Sequence, residues 1–203
     1  MDDNDHGESP VVGLLLAAGG GRRLGGRPKA LLSHRGRPLV EHAARALREG
    51  GCERVFVVLG AAADEVRARA VLPGCALVDN PRWASGMGSS LRAGLASLTT
   101  GPAYGAALVM LVDQPGIGPA AVARVRTAYR SPGTLAAASY GGERGHPVLF
   151  GADHWAGIAA DATGDQGARG YLMSHARDIV LVECGDVAEP YDIDTEEDLS
   201  HLE

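Results

Sequence analysis

Apolar residues fall along this chain in two alternating kinds of run. Val11–Leu16, Val55–Leu59 and Ala107–Val112 are short, nearly solid apolar blocks bounded by glycine, charged or turn residues, and they read as strands buried on both faces. Between them lie stretches of helical period. From Pro38 to Glu49 the residues Leu39, Val40, Ala43, Ala44 and Leu47 make one stripe, which Gly50-Gly51 ends. Ala61–Ala70 mixes Val and Ala with four charges, as an exposed covering helix does, and a brief strand follows at Ala76–Val78. A helix through Leu91, Leu95 and Leu98, capped by Ser89 or Ser90, leads to the strand Ala107–Val112, and Pro119–Tyr129 is a further helix with proline in its first turn. Leu135–Ser139 and Pro147–Phe150 flank a Gly141-Gly142 turn and suggest an antiparallel pair. Helical stretches at His154–Ala160 and Ala168–His175, a strand at Ile179–Val182 and a helix from Thr195, with capping-box spacing to Asp198, complete the order.

Strands alternating with helices predict one α/β domain: a single Rossmann-like, mostly parallel sheet with helices on both faces. Ligands of such sheets bind beyond the carboxyl ends of the strands. The loops Ala17–Lys29, Asp79–Ser90 and Asp113–Gly118 fall there. Residues 1–10 read as a disordered acidic tail ahead of a domain over 11–203, with no internal repeat.

Composition narrows the function. At 203 residues, 45% hydrophobic and 22% charged, the chain has ordinary globular proportions. A net charge of -6 and 4% aromatic residues argue against nucleic-acid binding, which needs phosphate-neutralising charge and stacking rings. No apolar run approaches a membrane span, the start is acidic rather than signal-like, and the 3 cysteines are widely spaced, so a cytoplasmic protein is expected. Glycine is the outlier, with 29 residues, about twice the usual ~7%.

Five of those glycines stand with four basic residues in Leu16-Ala17-Ala18-Gly19-Gly20-Gly21-Arg22-Arg23-Leu24-Gly25-Gly26-Arg27-Pro28-Lys29, directly after the first strand. Glycines let amides approach phosphate oxygens, and the cations offset triphosphate charge. Neither the Walker spacing nor the dinucleotide G-x-G-x-x-G fits. Lys29 is the only lysine among 19 basic residues, which points to a task that arginine does poorly. Arg23 and Lys29 are both expected in an exposed loop. Asp113 closes the strand Ala107–Val112; it can hold a divalent cation or simply make the strand-end turn. Asp192 and Asp194 are candidates for a second carboxylate, with Asp194 equally suited to capping a helix. Gly86 to Ser90 opens a helix whose amides and hydroxyls suit a phosphate or a base edge. His146 can meet an anionic acceptor or serve its turn structurally. A G-x-S-x-G nucleophile elbow and an H-E-x-x-H zinc motif are absent, and the histidines look dispersed.

Taken together, Leu16–Lys29, Asn80-Pro81-Arg82-Trp83, Gly86 to Leu95, Asp113-Gln114-Pro115, Gly145 to Phe150, Gly164 to Arg169 and Asp192 to Thr195 resemble the nucleotidyltransferases of the molybdenum cofactor type, and among them the cytidylyltransferase branch. The resemblance implies a nucleotide-diphospho-sugar transferase fold and Mg²⁺-dependent transfer of a nucleoside monophosphate, with CTP favoured, onto the terminal phosphate of a molybdopterin-type acceptor. Carried over by position, Arg23, Lys29 and Asp113 are catalytic. Leu16, Ala17, Ala18, Gly19, Gly20, Gly21, Arg23, Lys29, Gly86 and Ser90 bind nucleotide. Asp113 and Asp194 hold metal, and His146 and Asp165 meet the acceptor. Transient contact with a molybdoenzyme or its chaperone is a further implied partner. Gly21 departs from the family, which often has serine there, so a hydroxyl contact to phosphate is missing. Rival readings are GTP-using transfer to molybdopterin, transfer to another phosphorylated acceptor, such as a sugar, isoprenoid or phospholactate, and a non-catalytic nucleotide-binding accessory protein for molybdoenzymes.

Overall fold

Val11–Leu16 (β1) is an interior strand of a seven-stranded sheet. The computed structural model describes residues 10–202, so the tail expected at residues 1–10 falls outside them apart from Pro10. After β1 a small hairpin pairs Ser33–His34 (β2) with Arg37–Pro38 (β3), and Leu39–Glu49 forms α1. Val55–Leu59 (β4), Ala63–Arg69 (α2) and Cys75–Asp79 (β5) extend the sheet to one side. Met87–Leu98 (α3) then crosses back to Ala106–Leu111 (β6), which pairs parallel with the other side of β1. Pro119–Arg126 (α4) leads to Leu135–Tyr140 (β7) and Glu143–Gly151 (β8), an antiparallel pair turned through Gly141 and Gly142 with φ of 61° and 89°. Trp155–Asp161 (α5), Arg169–Ser174 (α6) and Ile179–Glu183 (β9) follow, and a 3-10 turn over Glu197–Leu202 ends the described chain.

The strand order is β5-β4-β1-β6-β8-β7-β9, with β8 antiparallel to both its neighbours and the other pairings parallel. Alternation along β1 divides the core. Val11 and Leu15 face the layer of α1 and α4, whereas Val12, Leu14 and Leu16 face that of α3, α5 and α6. Helices therefore cover both faces, as expected. Leu14 and Leu15 are fully buried, and truncating either to alanine would cost about 2–5 kcal/mol.

Several sequence expectations shift. The helix expected to be capped by Ser89 or Ser90 begins at Met87 with Gly86 as its cap; Ser89 Oγ donates to the Gly86 and Arg82 carbonyls, so its hydroxyl serves the preceding turn instead. Pro119–Tyr129 is α-helical only to Arg126, after which Ala128 and Tyr129 close tighter three-residue turns. The helix from Thr195 is the 3-10 turn; Asp198 Oδ2 does reach back to the Thr195 amide at 2.7 Å, but it also takes the Thr195 hydroxyl at 2.8 Å, so the cap is one-sided.

Chain direction fixes where a ligand can sit. The sheet grows outward from β1 through β4 to β5, then reverses to β6 on the opposite side of β1. The crevice of that reversal lies beyond the carboxyl ends of β1 and β6. The glycine loop after Leu16 and the turn at Asp113 meet there.

Candidate active site

A cleft of about 320 Å³ opens at the reversal point, lined by Leu16, Ala18, Gly19–Arg23, Lys29, Gly86, Ser90, Asp113, Asp165 and Asp194 among others. Distant segments of sequence meet in it. Gly21 takes the left-handed conformation (φ 61°), and its carbonyl accepts the amides of Leu24 at 2.8 Å and Gly26 at 3.0 Å, which folds the loop back on itself. A Cβ on Gly21 would lie 1.9 Å from the Arg27 carbonyl oxygen. The missing serine therefore has a steric cause: this loop closes too tightly for any side chain there. The amides of Gly19, Gly20 and Gly21 donate to no backbone group among the described residues. They are available to an anion.

Lys29 sits at the centre of the charge. Its Nζ donates to Asp113 Oδ2 at 2.5 Å and to Asp194 Oδ1. Arg23 approaches Asp194 from outside at 3.8 Å. Burial works against the ammonium, but Asp113 and Asp194 outweigh it and hold the Lys29 pKa above the ordinary lysine value. Contrary to expectation, the lysine is not exposed: its side chain is 15% accessible beside 17% for Asp113, whereas Arg23 stands 78% accessible at the rim.

Two hydrogen bonds stitch the carboxylates into register. The Ile193 amide donates to the Asp113 carbonyl at 2.8 Å, and Gln114 Nε2 donates to Asp192 Oδ1 at 2.8 Å. Asp192 thus faces Gln114 rather than Lys29. Burial raises its pKa, with Asp113 and Asp194 adding to the rise and the Gln114 bond opposing it. Of the two acidic candidates, Asp194 is the one that shares the ammonium with Asp113. The donor set fits a divalent cation in one respect: Mg²⁺ and Mn²⁺ commonly take one or two carboxylates and complete their shell with phosphate oxygens and water. No group of three or more His, Cys, Asp or Glu suited to a metal ion occurs among the described residues.

The far wall is built by α3 and the loop before it. Asn80 is buried, and its Nδ2 donates to Ser89 Oγ at 2.9 Å and Ser90 Oγ at 3.0 Å, which sets Ser90 in the wall. A Cβ on Gly86 would meet Gly164 and Asp165 at 2.5–2.6 Å, so glycine is what lets the Asp165 loop close on the cleft. Trp83 and Met87 also line it, and neither has a role assigned from sequence. Trp83 packs against Gly20, whose added Cβ would meet the indole at 3.0 Å.

Two sequence candidates fall elsewhere. Ala17 is not in the cleft wall: its side chain joins the α1-side core and its amide donates to the Val58 carbonyl at 3.0 Å, continuing the sheet. His146 lines a neighbouring slot, separate from Asp165, although both were expected on the acceptor side. Burial, with the positive Arg144 beside it, pushes His146 down to about 4, so its imidazole is neutral at pH 7. The histidines are also less dispersed than they look in sequence. His154 Nδ1 meets the Tyr171 hydroxyl at 2.9 Å, and Tyr171 stacks on His175 at 4.0 Å.

An α/β sheet reversed beside its first strand, with a glycine loop of unpaired amides over a Lys–Asp–Asp cluster, is the architecture of a nucleotidyltransferase. Residues 13–179 match the MobA-like NTP transferase domain, and the chain belongs to that family. It is similar along nearly its whole length to nicotine blue oxidoreductase of Paenarthrobacter nicotinovorans, 43% identical over 199 residues that cover 95% of this chain and 96% of the relative. Among solved structures it resembles the homologue of Mycobacterium tuberculosis Rv0371c from Mycobacterium sp. strain JC1, with a TM-score of 0.81, 31% identity, and coverage of 95% and 94% of the two chains. The manganese complex of Rv0371c from Mycobacterium tuberculosis superposes with a TM-score of 0.77 at 29% identity, covering 96% and 97%. Among the described residues no helix is long and apolar enough to cross a membrane.

Proposed function

We propose that this protein transfers a nucleoside monophosphate from a nucleoside triphosphate, with CTP favoured, onto the terminal phosphate of a molybdopterin-type acceptor and releases pyrophosphate. The observation that carries the reading is Lys29 bracketed by Asp113 and Asp194 beneath the unpaired amides of Gly19–Gly21. In this reading those amides and Arg23 take the β- and γ-phosphates, and Lys29 faces the α-phosphate. A divalent cation held by Asp113 and Asp194 would add positive charge against the triphosphate, and the manganese complex of a relative supports that class of metal, with Mg²⁺ our choice. An acceptor phosphate oxygen attacks the α-phosphorus as the bond to the leaving pyrophosphate breaks. That oxygen is already ionised near neutral pH, so no general base is required and positioning with charge stabilisation carries the rate. Ala18, a buried residue, lies in the cleft wall, and in this reading alanine rather than glycine at that position narrows the space left for a purine.

A second reading is favoured by one finding, the extended similarity to a protein named as an oxidoreductase. One pair of assays separates the two. Pyrophosphate release is followed with each nucleoside triphosphate, with and without molybdenum cofactor, and reduction of nicotine blue is followed with reduced nicotinamide dinucleotide. Acceptor-dependent pyrophosphate release is expected. Dye reduction without it would replace the transferase reading, and nucleotide binding with neither activity would leave an accessory protein.

A further inference from the structure

At the end of the sheet away from β5, the strand β9 pairs with β7 alone and leaves its other edge open. Its sequence, Ile179-Val180-Leu181-Val182-Glu183, puts no lysine, proline or bulge on that edge, the devices by which sheets discourage further pairing. Val180 and Leu181 point to opposite faces, yet each is 50% exposed, and Met173 on α6 is more exposed still. The other large apolar side chains that stand exposed among the described residues have a different setting. Met87 lines the cleft, and Val71 and Leu77 lie at the β5 end, whose edge carries Asp79 paired with Arg67 at 2.7 Å.

The open edge is complementary to itself. The Cys184 amide donates to the Ser139 carbonyl at 2.8 Å, which fixes the sense of alternation along β9. The backbone groups of Val180 and Val182 turn toward β7, and those of Ile179, Leu181 and Glu183 turn outward. Among the described residues no backbone group of Ile179 or Leu181 is bonded beyond the sheet. We infer that β9 pairs antiparallel with β9 of a second copy of this chain, about a two-fold axis through Leu181. That register sets Leu181 opposite itself and Ile179 opposite Glu183 as hydrogen-bonded pairs, with Val180 opposite Val182 as the closer, non-bonded pair. Arg124 already donates to the Glu183 carbonyl at 2.9 Å, and the second lone pair of that oxygen serves the facing Ile179 amide. Charge follows the same symmetry. Arg177, just before β9, is exposed and forms no ion pair among the described residues. The Glu183 carboxylate, at the other end, is bonded by the Ser139 hydroxyl and the Gly141 and Gly185 amides but by no cation. Antiparallel pairing brings Arg177 of each copy beside Glu183 of the other. β9 runs in the same direction as β7, β6 and β1, so the two clefts open at opposite ends of the joined sheet and both stay free.

Sedimentation of the whole protein across a range of concentration should show a monomer–dimer equilibrium. Leu181→Lys sets two ammonium groups opposite each other on the axis and should weaken association about tenfold or more. Val71→Lys, a likewise exposed change away from this edge, should leave association as in the parent. Disulfide trapping reads the register. Val180→Cys mixed with Val182→Cys should give an oxidised dimer, because the opposed Cα atoms would stand about 4.5 Å apart, within disulfide reach. Either variant alone, with like positions about 7–8 Å apart, should give no more oxidised dimer than the parent under the same oxidant. A parent that stays monomeric at every concentration, unchanged association in Leu181→Lys, or a single cysteine variant that traps itself as readily as the mixture would each overturn the pairing.

Discussion

Replacing Gly21 by serine restores the residue common in the family, yet here it should damage the protein rather than improve it. The left-handed conformation (φ 61°) costs a non-glycine residue about 1–2 kcal/mol. The new Cβ would stand 1.9 Å from the Arg27 carbonyl oxygen, inside the 3.0 Å that real Cβ contacts respect, so about 1.1 Å of backbone retreat is needed. Overpacking of that kind adds about 1–3 kcal/mol. The loop can relieve it only by breaking the Leu24 and Gly26 bonds to the Gly21 carbonyl, which turns the Gly19–Gly21 amides away from the cleft. Gly25→Ala is the control: φ is 66° there too, but nothing lies within 4 Å of its added Cβ. Isothermal titration with CTP and Mg²⁺ should show Gly21→Ser weakened about 100-fold or more, some 2.7 kcal/mol at 1.36 kcal/mol per tenfold, with Gly25→Ala within about threefold of the parent. Parental affinity in Gly21→Ser would refute the closed-loop account, and equal losses in both variants would assign the effect to conformation alone.

Lys29→Ala and Arg23→Ala should each lower kcat/KM for the triphosphate about 10- to 150-fold, the worth of a hydrogen bond to a charged group; thermal melting should fall for Lys29→Ala, which leaves Asp113 and Asp194 facing each other, and stay put for the exposed Arg23→Ala. Asp113→Asn should abolish most transfer at ordinary Mg²⁺, read as pyrophosphate release against metal concentration, and full activity with unaltered metal dependence would move the metal elsewhere. The kcat/KM ratio of CTP to GTP should favour CTP by about 10- to 200-fold and shrink in Ala18→Gly; an unshifted ratio removes Ala18 as its cause. For His146 the folded value is about 4 against about 6.5 unfolded, so between those pH values the unfolded chain binds more protons and stability falls with falling pH, by at most about 3 kcal/mol. Urea unfolding at stepped pH should show that slope flattened in His146→Gln, with Glu183, held low by the Gly185 and Gly141 amides, contributing its own loss only below the ordinary carboxylate range.

The sheet was legible because its central strands are buried on both faces and so read as solid apolar blocks, as in Val55–Leu59 and Ala106–Leu111. The hairpin β2/β3 was not. Its turn places Arg35 and Gly36 at φ of 48° and 77°, a geometry usually announced by Asn-Gly, and arginine hides it. The gathering of Lys29 with Asp113 and Asp194 follows from motifs at strand ends, whereas the burial of Lys29 does not, because burial is set by the meeting of segments far apart in sequence. Trp83 was visible only as a letter in a motif, since nothing local shows that it rests on Gly20. Alternation at the strand end separates the two alanines that follow it: both are buried, Ala17 on the α1 side and Ala18 on the α3 side, and of the two Ala18 reaches the cleft wall.

The clasp between Ile193 and Asp113, with Gln114 on Asp192, has a consequence for how the molecule assembles. Every described strand of the sheet is complete by Glu183, ahead of the segment that carries Asp194, which adds Ile193 and Leu202 to the core on the α1 side. That segment must find Asp113 across a long stretch of chain, and such pairings form late because loop-closure entropy comes before the contacts that offset it. During synthesis, or on refolding from denaturant, the chain should pass through a stage with native strands and a cleft that cannot yet set two carboxylates around Lys29. Competence for chemistry would then lag behind secondary structure, and the short arm that closes the cluster would act as the last checkpoint of folding.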